Sequence, residues 1–168
     1  MRDGARTTAT LAVLFCILLL AAVWGWSALT DPFPGKADLP TCVATSVPEG
    51  EKVYPDQVVV SVFNAGTREG LAGRTMQLFT DQGFVEGDSG NAPSNARVST
   101  AEIWTDDPTS PAVLLIASRL GPNAKIVRRD TTGAGVVVIV GDAFKDLREG
   151  RKSVKATEDS EICSPPVT

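Results

Sequence analysis

The sequence predicts an α+β fold: a small mixed sheet with two helices on one face, in the order β-α-β-β-α-β-β, preceded by one transmembrane helix. Three observations predict it. Val58, Val59, Val60, Val62 and Phe63, and again the run GVVVIV at 135–140, are β-branched stretches of strand length that suit burial on both faces. Residues 71–79 and 111–120 carry apolar side chains in helical runs bounded by turn signals. Residues 8–29 contain no charge, and about 20 such residues span a bilayer core.

The elements follow in order. Arg2 and Arg6, partly offset by Asp3, precede the apolar run, whereas Asp31, Lys36 and Asp38 follow it. This basic excess predicts a cytoplasmic tail at 1–7, a span at 8–29 and a single-pass plasma-membrane protein with its C-terminal part outside. Trp24 and Trp26 stand near one end of the run, where aromatic rings favour the interface. A cleaved signal peptide would have a shorter apolar core and an A-x-A site, and neither is present. A lipoprotein would carry a small residue before its acylated cysteine, but Phe15 precedes Cys16. An uncleaved signal-anchor fits better, with Cys16 acting as a small apolar residue.

Residues 30–55 read as a stiff spacer, since Pro32, Pro34, Pro40, Pro48 and Pro55 leave little room for helix or central strand. Cys42 lies here, and Cys163 lies in the polar stretch 149–168, expected as a loosely held tail. Outside the cytoplasm these two cysteines have only each other to pair with. Closing so long a loop is worth up to about 4–5 kcal/mol in the chain-entropy model. Two free thiols are the alternative.

The domain proper is expected at 56–148. After the first strand, Asn64-Ala65-Gly66 marks a turn, Thr67 is a helix N-cap and Glu69 favours the dipole's positive end. Leu71, Ala72, Thr75, Leu78 and Phe79 then line one helix face, and Gly83 stops it. Phe84 and Val85 begin a strand that runs into a polar loop at 86–93. Residues 97–105 alternate without a cleanly apolar face. Ser110 as N-cap and Pro111 at the first helical position open a helix that ends at Gly121-Pro122. Residues 124–128 and 135–140 are the last two strands, the latter central, and a short helix is expected at 143–147. Hairpin pairings would join the second strand to the third and the fourth to the fifth.

A net charge of −4 and a pI near 4.8 argue against a nucleic-acid partner. There is no histidine, which removes the commonest general base and metal ligand and every Ser-His or Cys-His pair. No catalytic residue, metal or cofactor is expected. Asn64, Gly66, Thr67 and Arg68 are ligand-binding candidates, because a turn at a helix N-terminus offers N–H groups to an anion. The turn lacks the Lys-Ser/Thr of a phosphate-binding loop, and its residues equally suit close helix–sheet packing. Asn91, in a loop rich in Gly, Asn and Ser, and Arg97 just beyond are further candidates; a plain connection reads the same way. Glu102, Asp106 and Asp107 suggest paired carboxylates, but acids before a helix are ordinary. The basic run Lys145, Arg148, Arg151, Lys152 and Lys155 suits anionic head groups or plain solvent.

The strand VVVSVFNAG, the helix opening TREGLAGR, the GF that closes it, the strand STAEIW, the stretch SPAVLLIASRLG and the last strand VVVIVGD resemble the LytR C-terminal domain family over residues 57–147. The chain is similar to its stand-alone, membrane-anchored actinobacterial type. Other members follow the catalytic domain of LytR-CpsA-Psr enzymes, and that transferase activity does not carry over. The resemblance implies a non-catalytic extracytoplasmic binding domain supporting cell-envelope integrity. Its partner would be a wall glycopolymer, a lipid-linked precursor or an envelope protein. An enzyme acting on envelope carbohydrate and a scaffold recruiting other membrane proteins are the alternatives.

Overall fold

The computed structural model describes residues 2–30, 41–131 and 133–166, with side chains of the first helix described over 11–26. The chain divides into two compact units, Met1–Leu39 and Pro40–Thr168. The first contributes helix α1, Arg2–Thr30. Its described side chains are exposed and apolar, among them Leu11, Phe15, Leu18, Leu20 and Val23. Among the described residues, no helix is long and apolar enough to cross a membrane. The expected span at 8–29 extends past the described side chains at both ends, and the expected connector lies outside the described residues from 31 to 40.

The second unit holds β1 (Val43–Val47), β2 (Lys52–Val53), β3 (Val59–Asn64), α2 (Leu71–Asp81), β4 (Val85–Asn91) and β5 (Ala101–Thr105). It continues with α3 (Pro111–Leu120), β6 (Lys125–Arg128), β7 (Val136–Val140), β8 (Val154–Lys155) and β9 (Ser160–Ser164). Five strands form the main sheet in the order β4-β3-β7-β5-β6. The expected hairpins are not formed. β4 lies parallel to β3, and β6 lies parallel to β5. Each helix therefore serves as the crossover of a parallel pair, the connection such pairs require. β7 runs parallel to β3 and antiparallel to β5 and so joins the two halves. All five of its residues are buried, which is why a run apolar on both faces takes the centre.

Both helices cover one face. Leu71, Met76 and Phe79 of α2 and Leu115, Ile116 and Leu120 of α3 share one core with Val60, Val62, Ile103, Val138 and Val140. α2 starts at Leu71 and not at Thr67, because Gly70 takes φ 70° at the N-cap and Thr67 is engaged elsewhere. Its far end is a Schellman motif: Gly83 N–H donates to the Thr80 carbonyl at 2.9 Å and Phe84 N–H to that of Phe79 at 3.1 Å. Gly83 supplies the φ of 88° that this closure needs. Ser110 precedes α3 as expected but makes no side-chain cap. β4 extends through Asn91, so most of the expected loop is strand, while β5 begins only at Ala101.

The spacer and tail are corrected most. β1 pairs antiparallel with β9 and β2 with β8, and Val47, Val53, Val154, Ala156 and Ile162 join the helix-side core. A lone strand leaves its backbone N–H and C=O groups unpaired; pairing satisfies both backbones at once. Cys42 and Cys163 form a disulfide beside this ribbon, with Cα atoms 5.4 Å apart. The short helix expected at 143–147 is absent. Phe144 N–H closes a turn to Gly141 at 2.9 Å, the Phe144 ring is buried, and Arg148 N–H reaches the Arg119 carbonyl at 2.8 Å.

Candidate functional site

The turn after β3 gathers four of the sequence candidates. Because β3 and β7 run side by side, their ends bring the 64–68 turn next to Asp142. Asn64 stitches the turn: its Oδ1 accepts from Gly66 N–H at 2.8 Å, and its Nδ2 donates to the Arg68 carbonyl at 2.8 Å. Thr67 N–H donates to both Asp142 carboxylate oxygens at 2.9 and 3.0 Å, Thr67 Oγ1 to Oδ2 at 3.0 Å, and Arg68 N–H to Oδ1 at 3.1 Å. Arg68 Nη1 reaches the carbonyls of Asp142 at 3.2 Å and Phe144 at 2.9 Å. A Cβ on Gly66 would collide with the Asp142 carboxylate. The Thr67 and Arg68 backbone N–H groups, Thr67 first, hold the Asp142 carboxyl below the usual carboxylate range. This is an anion nest whose anion is the chain's own Asp142.

The opposite face of the sheet carries no helix. Trp104, Val137 and Ile139, with Ala96 and Val98 of the 92–100 loop, form a second apolar cluster, and half-buried Phe63, Ala65, Ala92 and Val127 pack against it. This roof is partial. A cavity of about 250 Å³ is lined by Phe63, Asn91, Pro93, Trp104, Asp130 and Ile139. A larger one of about 440 Å³ runs from Trp104 past Asp106, Asp107 and Thr131 to Glu161 and the Cys42–Cys163 bridge. Asp106, Arg129, Asp130 and Thr131 line a third of about 210 Å³. All three share Thr131, and Trp104 is the wall between the larger two. Trp104 is held on two sides: its Nε1–H donates to Glu102 Oε2 at 3.1 Å, and the Arg129 guanidinium lies 4.4 Å from its ring centroid. The arrangement is an aromatic and aliphatic floor with amide, hydroxyl and carboxylate groups at its rim, which is the general make-up of a ligand pocket.

The sequence candidates thus separate. Asn64, Gly66, Thr67 and Arg68 close on Asp142, while Asn91, at the end of β4, reaches the cleft. Arg97 donates through Nη1 to the carbonyls of Ser94 and Ala96, both at 2.9 Å, and so braces the loop over the cleft's apolar cluster. It also lines a separate cavity of about 180 Å³ with Asn123 and Lys125. Glu102 is engaged with Trp104, and Asp107 Oδ1 accepts from Thr109 N–H and Oγ1. Among the described residues, no group of three or more His, Cys, Asp or Glu side chains is placed to hold a metal ion. Sequence reasoning missed Trp104, Phe63, Asp130 and Thr131. The signal was the strand at 97–105 with no cleanly apolar face: its Glu102-Trp104 side is the one left without a helix.

Residues 57–144, from the turn before β3 to Phe144, match the family described as LytR cell envelope-related transcriptional attenuator. The β1–β9 ribbon beside the 440 Å³ cavity falls outside that match. Among solved structures, the soluble domain of a conserved hypothetical secreted protein from Mycobacterium marinum is similar. It is 19% identical, with 60% of this chain and 77% of that chain covered and a TM-score of 0.46. No curated protein matches the chain.

Proposed function

Because the chain belongs to the LytR C-terminal domain family of cell envelope-related proteins, we propose that it is a non-catalytic binding domain of the cell envelope, held outside the cytoplasm by an N-terminal membrane anchor. The observation that carries this reading is the cleft around Trp104 on the helix-free face of the sheet. The Cys42–Cys163 disulfide supports an oxidising compartment. The uncharged run at 8–29, with Arg2 and Arg6 before it, supports an anchor with its N-terminus inside. Glu102 and Asp107, two of the three carboxylates a glycosidic mechanism could use, accept hydrogen bonds from Trp104 and Thr109. The partner is a wall glycopolymer, a lipid-linked precursor or an envelope protein.

Two measurements test this. A reporter fused after Thr168 that is active only outside the cytoplasm should light up, and a cytosolic signal alone would refute the placement. The full chain in lipid nanodiscs, incubated with isolated wall polysaccharide and lipid-linked precursor, should retain material of unchanged mass. Release of a smaller or transferred product would make the chain an enzyme.

A further inference from the structure

We infer that the Trp104 cleft takes an uncharged saccharide, not a phosphate-bearing head group. The inference rests on reading the chain as an envelope binding domain and narrows its three partner classes to one. The warrant is the cleft's charge and texture. Asp106, Asp107, Asp130 and Glu161 line these three cavities, and among the described lining residues Arg129 is the one cation. That guanidinium is already set over the Trp104 ring, 4.4 Å from its centroid. A phosphate or diphosphate entering here meets four carboxylates against the single guanidinium of Arg129, so like-charge repulsion opposes it. A neutral sugar meets no such penalty. Its C–H faces suit the half-buried Phe63 ring and the part of Trp104 that lines the cavity, and its hydroxyls both donate to carboxylates and accept from an amide. Asn91 supplies the amide, Asp130 the carboxylate and Thr131 the hydroxyl of that rim. The cavities on the two sides of Trp104 measure about 250 and 440 Å³.

The test uses the full chain in nanodiscs with Trp24→Phe and Trp26→Phe, so that Trp104 is the remaining indole. Probes are neutral oligosaccharides of glucose, galactose, mannose, arabinose and N-acetylglucosamine, with pyrophosphate as the anionic comparison. A saturable change in Trp104 fluorescence is expected with at least one neutral oligosaccharide and none with pyrophosphate. Asn91→Ala should weaken that binding on the order of tenfold, the loss of about one well-made hydrogen bond to the ligand. Asp106→Asn separates the charges: it should leave pyrophosphate unbound, whereas a phosphate site would tighten when a carboxylate is removed. Pyrophosphate binding at Trp104, or silence from every neutral probe, overturns the inference. The two readings fail separately. A cytosolic reporter with glycan still bound sinks the envelope placement alone, and envelope material captured away from Trp104 sinks this site alone.

Discussion

The two faces of the central sheet are built from the same five strands and end up with different work. On the helix side Val60, Val62, Ile103, Val138 and Val140 meet Phe79, Leu115 and Ile116, all essentially without exposed surface. On the other side Trp104, Val137, Ile139 and Phe63 are roofed by one loop, which leaves cavities with polar rims. Close packing on both faces would leave no room for a ligand; open packing on both would leave too little buried apolar area to hold the fold. Close packing is concentrated on one face and the cavities on the other.

Four substitutions break or sharpen this division, beginning with the largest effect. Phe79→Ala removes a fully buried ring that meets Phe84 edge-on at 5.4 Å, and should cost about 3–5 kcal/mol by chemical denaturation. An effect under about 1 kcal/mol would deny the helix face its role. Cys42→Ser opens the 121-residue separation closed by the disulfide and should cost about 2–4 kcal/mol, with added reductant lowering the parent protein to the same midpoint. Asp142→Asn weakens the nest by a smaller amount, and its mark is a pH profile. A carboxyl depressed in the folded state contributes stability present above its unfolded pKa of about 3.9 and lost as pH falls through the folded value. The parent should therefore lose stability on the acid side, and the variant should show a shallower acid limb. Asn91→Ala, on the helix-free face, should shift stability by less than about 0.5 kcal/mol while it reduces ligand capture.

Much of the helix side was legible in sequence, because it is written in local periodicity. Leu71, Thr75 and Phe79 repeat at helical spacing, Pro111 and Gly121 bracket α3, and GVVVIV announces a strand buried on both faces. Pairing was less legible. Nothing local to Val43–Val47 or Ser160–Ser164 says that each needs the other, so a spacer and a tail were expected where a ribbon forms. The cysteines were the one long-range mark, and Cys42–Cys163 was anticipated from the compartment argument. The turn at 64–68 looked like an anion site because it is built as one; the sequence does not reveal that Asp142, some 75 positions on, fills it. Trp104 was obscured for the opposite reason. Its neighbours Glu102 and Arg129 are charged, and only the folded sheet shows them holding the indole at the wall of a cleft.

The most direct test of the division of faces is in-cell photo-crosslinking of the full chain from two positions, Asn91 at the rim of the cleft and Gln77 on the exposed side of α2. Capture of envelope glycan from position 91 and not from position 77 is the result expected. Equal capture at both, or capture from 77 alone, would contradict it.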